Sequence, residues 1–164
     1  MIISLIAAMS ENRVIGLNGR LPWGHLPDDL ENLHRLAVGK KMIMGRKSYD
    51  TPDRIWSKVG NIVLSRHQDL ILDEDFQYAE NLEQAFFELK NESEVFILGG
   101  GEVFKKAMPY TDKIYLTLVH ASFIGDTFFP GIDTRIFELI ECIFHPNDTH
   151  HAYNFSFLTF TRKV

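Results

Sequence analysis

Ile2-Ile3-Ser4-Leu5-Ile6-Ala7-Ala8-Met9 opens the chain as a near-continuous apolar run of strand length. A run that does not alternate leaves no face for water, which is the pattern of a strand covered on both sides. Lys41-Met42-Ile43-Met44-Gly45, Asn61-Ile62-Val63-Leu64-Ser65 and Glu94-Val95-Phe96-Ile97-Leu98 repeat the pattern. Helical segments separate these runs. One spans about Pro27 to Val38, with proline at its first turn, where the missing N–H costs nothing. Another begins at Asn81, which with Gln84 has the spacing of a capping box, and it gathers Leu82, Ala85, Phe86 and Leu89 on one face. A short helix follows three glycines and stops at Pro109. Lys113 to Ala121, Phe137 to Phe144 and Tyr153 to Phe160 are strand patterns with no helix between them. The fold class is α/β, with a sheet parallel in its first part and closed by antiparallel strands.

The chain has 164 residues, 45% of them hydrophobic and 13 of them Phe, enough for one domain with a full core. A net charge of -5 opposes nucleic acid or an anionic membrane as the main partner. Cys142 is the single cysteine, so no internal disulfide forms; within an apolar strand it reads as a small core residue. Ile2 to Met9 is too short to span a membrane, and no cationic segment precedes it as in a signal peptide. A soluble cytoplasmic protein is the expectation.

The chemistry begins on the first helix. At about 100° per residue, Leu26, Leu30, Leu33, Leu36 and Ala37 share one face, and Asp29 falls within that arc, about 20° from Leu36. Asp28 falls on the other side, beside Asn32 and Arg35, as a solvated helix-start acid. Asp29 is a carboxylate facing apolar surroundings: a general acid, an anchor for a cationic ligand, or simply a wet helix end. Three strand ends offer further sites, where open α/β sheets bind ligands. Gly45-Arg46-Lys47-Ser48 combines a close turn with two cations suited to phosphate. A Walker loop is excluded, since Lys40 stands where its first glycine belongs. Ser65-Arg66-His67 alone is bland. Gly99-Gly100-Gly101 lets backbone approach a ligand, or is a bare tight turn; it is not a Rossmann fingerprint, because Phe104 replaces the last glycine. His145, His150 and His151 share a polar loop with Pro146, Asn147 and Asp148, which reads as a solvated turn, and no metal site is expected.

Ordered along the chain, these pieces resemble the dihydrofolate reductase family. The matching segments are Ile6-Ala7-Ala8, Arg13-Val14-Ile15-Gly16, Leu21-Pro22-Trp23, Leu26-Pro27-Asp28-Asp29-Leu30, Met44-Gly45-Arg46-Lys47-Ser48, Asn61 to Ser65, Leu98 to Gly101, Ile114 to Thr117 and Gly125 to Pro130. The resemblance implies a mostly parallel sheet of about eight strands with an antiparallel C-terminal strand and about four helices. It implies one domain over 1–164, with an adenosine-binding subdomain near 40–90. It implies reduction of 7,8-dihydrofolate to tetrahydrofolate by NADPH in a monomer, with antifolates as inhibitors.

Carried over residue by residue, Asp29 is the active-site acid, Thr117 orients it, and Trp23 bounds the site. Ile6, Ala8, Leu30, Leu33, Arg54 and Leu98 would take the substrate. Ile15, Gly16, Gly45, Arg46, Lys47, Ser48, Leu64, Ser65 and Arg66 would take the cofactor, with Gly99, Gly100, Gly101, Glu102, Val103, Phe104 and Thr127. Arg46 and Arg66 suit a 2′-phosphate, hence NADPH over NADH. Gly99-Gly100 is expected to be a cis peptide, residues 12–24 a closing loop, and Asp126 its brace.

The sequence also departs from the family. Val59 replaces the arginine that clamps the glutamate tail, and Lys58 or Arg54 is left to substitute. Leu33 replaces a common phenylalanine, and His34 follows it near the tail. Glu80 stands near a position often cationic, and Phe104 lacks a hydroxyl. One residue is inserted between Trp23 and Leu26. Two alternatives follow: a reductase of this architecture for a tail-free dihydropterin or a riboflavin-pathway pyrimidine, and a nucleotide-binding module without chemistry.

Overall fold

The computed structural model describes residues 1–68 and 71–164. Its strands are β1 (Ile2–Ser10), β2 (Val14–Gly16), β3 (Lys41–Gly45), β4 (Asn61–Leu64), β5 (Phe76–Ala79), β6 (Glu94–Ile97), β7 (Lys113–Val119), β8 (Thr127–Phe128), β9 (Phe137–His145) and β10 (Phe155–Arg162). Its α-helices are α1 (Pro27–Ala37), α2 (Arg46–Asp50), α3 (Leu82–Glu88) and α4 (Gly101–Ala107), the last continuing into a 3-10 turn at Met108–Tyr110. Eight strands form the main sheet in the order β5-β4-β3-β6-β1-β7-β10-β9. All neighbours pair parallel except β10, which runs antiparallel to both β7 and β9.

The apolar runs are continuous because successive residues enter two different cores. Leu5 points to a cluster with Ile43, Ile97 and Ile114, covered by Leu82, Ala85 and Leu89 and by Phe104 and Ala107 of α4. Ile6 points to the opposite cluster with Met42, Met44, Val63 and Phe96, covered by Ala37 of α1 and Tyr49 of α2. Each helix on the sheet thus buries an apolar stripe against one face. Asn81 caps α3 as the spacing predicts, accepting from the Gln84 N–H at 2.8 Å, while Gln84 Oε1 accepts from the N–H of Glu80.

Several features were not legible. β5 follows a polar stretch and is only four residues long, so its two buried residues, Phe76 and Ala79, carry no period. β2 and β8 form a separate two-stranded ribbon, too short for any pattern. Cys142 is not a core residue: it is exposed on β9, the sheet's last strand, along with everything else from Glu138 to Phe144. The β9 pattern is apolar, but β9 ends the sheet and none of the described residues covers it. Among the described residues no helix is long and apolar enough to cross a membrane.

The ribbon is pinned at Gly125, where an added Cβ would overlap Val14 Cγ1 and lie 2.9 Å from the carbonyl oxygen of Gly16. Gly125→Ala should therefore cost about 1–3 kcal/mol, as overpacking does. An unchanged midpoint in urea denaturation would show that the ribbon yields instead.

Candidate active site

β1 sits where the sheet order reverses, with β6 on one side and β7 on the other, and connections leave toward opposite edges. Such a reversal opens a crevice at the strands' carboxyl ends. Here it is a cleft of about 1310 Å³, larger than one small-molecule site needs. Ala8 of β1, Gly45 of β3, Leu64 of β4, Leu98 after β6 and Thr117 of β7 all reach it.

Asp29 is the third residue of α1, and its N–H bonds back to the carbonyl of Leu26 at 3.1 Å. Thr117 Oγ1 donates to Asp29 Oδ1 at 2.6 Å, from a threonine that is itself buried and paired in register with Ala8. Asp29 lines the cleft. Enclosure by protein pushes its carboxyl above the ordinary range, and the Thr117 hydrogen bond offsets part of that rise. Ile6, Ala8, Leu33, Leu98 and Arg54 line the same end of the cleft, together with Asn32 and Tyr115. Sequence reasoning missed these last two. Asn32 is one helical turn from Asp29 and Tyr115 two strand residues from Thr117, so spacing alone would have found them.

The structure separates Trp23, Leu30 and Gly99 from the cleft lining. Trp23 is buried beside Leu26, Val119 and Phe155, edge-on to Phe123, and among the described residues its Nε1 has no partner. Leu30 is exposed, because the cleft takes only the edge of the α1 stripe on which Asp29 and Leu33 lie. Gly99 has φ +98° and lies under Phe104, where an added Cβ would come within 2.6 Å of ring atom Cε2. Its carbonyl accepts from the Gly45 N–H at 2.7 Å, and a cis peptide joins it to Gly100. The triplet therefore divides its roles: Gly99 serves packing, whereas Gly100 and Gly101 face the cleft.

At the other end stand Arg46, Lys47, Ser48, Ser65 and Arg66, with Ile15, Gly16, Glu102, Val103, Phe104 and Thr127 along the wall. Arg46 Nε is 3.0 Å from Asp50, which holds its guanidinium above the ordinary range, while its buried Nη1 has no partner among the described residues. Ser65 Oγ is engaged in a turn with His67. A Cβ on Gly45 would meet Val103 at 2.9 Å, so glycine there lets the two cleft walls close up. An unspent guanidinium donor, two further cations and a glycine-lined wall fit a phosphate-bearing nucleotide. Asp126 accepts from the Asn18 N–H and from Thr127 Oγ1, both at 2.9 Å, and these bonds hold its carboxyl low. It thereby ties residues 16–20 to the ribbon.

Of the candidates for a tail contact, Arg54 alone lines this cleft. Its guanidinium stacks 4.5 Å from the Tyr49 ring centroid and pairs with Asp73. Lys58 and the half-exposed Val59 border a separate depression of about 260 Å³. The histidine loop is not the solvated turn expected: His151 is buried, and with His145 it converges on Asp28.

The fold and the cleft together define an α/β nucleotide-dependent enzyme, with a phosphate end and a buried acid at the other. A sequence profile of the dihydrofolate reductase family matches residues 2–162. The dihydrofolate reductase of Haemophilus influenzae is 38% identical, over 99% of this chain and all of that protein. The type 3 dihydrofolate reductase of Salmonella typhimurium is 35% identical over 99% of both. A solved dihydrofolate reductase from Enterococcus faecalis, complexed with NADP(H) and RAB-propyl, superposes with a TM-score of 0.85 at 29% identity, over 99% of this chain and 97% of that one. The chain belongs to the dihydrofolate reductase family.

Asp29 gives a stability prediction with a definite sign. Between 3.8 and its raised value, the folded chain binds a proton that the unfolded chain has released. Stability therefore falls as pH rises through that window, and the cost is complete above it. Asp29→Asn should melt higher than the parent at neutral pH, and the advantage should vanish below the ordinary aspartate range. Melting curves across pH check this; an advantage independent of pH would show that desolvation is not its source.

Proposed function

We infer that this protein reduces 7,8-dihydrofolate to tetrahydrofolate with NADPH, acting as a cytoplasmic monomer on a small-molecule substrate. The observation that carries this reading is the Asp29–Thr117 pair, an enclosed carboxylate in a cleft that also presents Arg46, Lys47 and Arg66. Bound NADPH supplies the hydride, received at the substrate's C6, while one proton is taken up at N5.

The chain's own residues do the rest. Thr117 occupies one side of Asp29 Oδ1, leaving the carboxylate's remaining lone pairs to accept from the pterin 2-amino group and N3. Those two bonds fix the ring's tilt, and a negative charge beside the ring favours its gaining a proton. Ile6, Ala8, Leu33 and Leu98 surround the ring with apolar surface. Their exclusion of water strengthens the Asp29 interaction and protects the transfer from side reactions. Trp23 stands behind this pocket, and its unpaired Nε1 is a donor for an ordered water serving N5.

Arg46, Lys47 and Arg66 bind the nucleotide's phosphates, and the two arginines select the 2′-phosphate of NADPH over NADH. Gly100 and Gly101 let the backbone approach the pyrophosphate. The Asp126 tie sets the position of the loop that shields the nicotinamide, and such gating often limits turnover. Arg54 takes the tail carboxylate in place of Val59. Its stacking on Tyr49 fixes the guanidinium plane, which limits the entropy lost on binding.

NADPH oxidation tests this with dihydrofolate and a tail-free dihydropterin side by side. Dihydrofolate should turn over with the much lower Michaelis constant. Asp29→Asn should lower the rate about 10²–10⁴-fold at neutral pH, the span typical of acid–base groups, and recover activity in acid. Arg54→Ala should raise the Michaelis constant for dihydrofolate about 10- to 100-fold, the loss of a charged hydrogen bond, and leave the tail-free substrate unaffected. Comparable handling of both substrates by the parent would favour a tail-free pterin, the reading that Val59 supports. Turnover of neither would overturn the assignment.

A further inference from the structure

Asp28, the neighbour of the active-site acid, faces away from the cleft and meets two histidines brought from the far end of the chain. His145 ends β9 and His151 precedes β10; their ring centroids lie 5.0 Å apart, and each packs against Phe155. His145 Nε2 lies 2.9 Å from Asp28 Oδ2, and His151 Nε2 lies 3.7 Å from Asp28 Oδ1. One donor atom from each of the three residues falls within 4.8 Å of the others.

The opposite ring nitrogens are equally specified. His151 Nδ1 lies 2.8 Å from Asp148 Oδ1, and His145 Nδ1 lies 2.7 Å from the carbonyl oxygen of Pro146. A metal-binding imidazole characteristically donates its other N–H to a carboxylate or a backbone carbonyl, which fixes the tautomer and aims the free lone pair. Both rings have that arrangement, and both present Nε2 to the same carboxylate. Burial differs usefully across the cluster. His151 is 2% exposed, while the Asp28 and His145 side chains keep 41% and 29%, so one side stays open to water. The N–H of Asp28 reaches His151 Nε2 at 3.1 Å, and it is the contact a metal would displace.

We propose that Asp28, His145 and His151 bind a divalent transition-metal ion of the zinc class, with water at the open position. Two imidazoles and one carboxylate favour zinc over magnesium or calcium, which take oxygen donors. Ligand bonds near 2.0–2.2 Å place tetrahedral donors about 3.3–3.5 Å apart. The distances to Asp28, 2.9 and 3.7 Å, bracket that value, and the partly exposed Asp28 carboxylate can turn to even them out. The ion would strap the β9–β10 connection to the first turn of α1.

The test uses the full chain, stripped with chelator and titrated with zinc by calorimetry, with thermal melting alongside. The parent should bind one equivalent and melt higher with zinc, since an ion held only by the folded form stabilises it. His145→Ala and Asp28→Asn, both at partly exposed positions, should each weaken binding at least about 10-fold and lose most of the melting shift. His150→Ala, in the same loop but outside the triad, should bind as the parent does. The proposal is overturned by no saturable one-to-one binding in the parent. It is equally overturned by binding that survives both His145→Ala and Asp28→Asn.

Discussion

β1 must be covered everywhere, and most of the molecule follows from that. Its backbone is hydrogen-bonded on both sides, to β6 and to β7, and its side chains enter a different core on each face. A parallel strand in that position needs helices on both faces, and the chain supplies them by sending its connections to opposite edges. The point where those connections part is the head of the cleft. The same run of residues that fills the two cores therefore sets Ala8 and, through register, Thr117 at the cleft's edge. Asp29 arrives from α1, the helix covering one of those faces. The Asp29–Thr117 hydrogen bond thus joins a covering helix to the strand beside β1, and it forms only if helix and sheet pack in one way.

What the sequence revealed, and what it hid, follow the range of the forces involved. Strands covered on both faces announce themselves, as do helix starts with local caps, because one segment contains the whole cause. Asp29 was legible for the same reason: its place on a helical face is a local property. Trp23, Leu30 and Gly99 lie off the cleft lining, because lining a cleft depends on which few degrees of a surface another element leaves open. Cys142 was misread because apolar alternation reports strand, not burial, and an edge strand lacks the second layer that would cover it. The convergence of His145 and His151 on Asp28 was invisible because it needs the last hairpin to fold back over the first helix.

Arg54 and Val59, five residues apart, face different parts of the surface. Val59 borders a depression separate from the cleft and carries no charge. Arg54 lies on the segment between α2 and β4, held by the Tyr49 and Phe76 rings and paired with Asp73. An arginine stacked between aromatics has lost most of its freedom before any ligand arrives. That reduces the entropy cost of binding a carboxylate, while Asp73 competes for the same charge.

The bare outer strand has a consequence for how copies of this chain coexist. β9 presents unpaired backbone groups along one side, with Leu139, Ile140, Ile143 and Phe144 exposed around them. Such an edge is a template on which another chain can add a strand. Glu138 and Glu141 interrupt it, so a second copy laid alongside would bring like charges together. The register shift opposite Thr159/Phe160, where Ile140 is the extra residue on β9, disturbs the regularity that stacking requires. A strand added at this edge, on the side of the sheet farthest from β5, would therefore meet two carboxylates and one irregular step in the ladder.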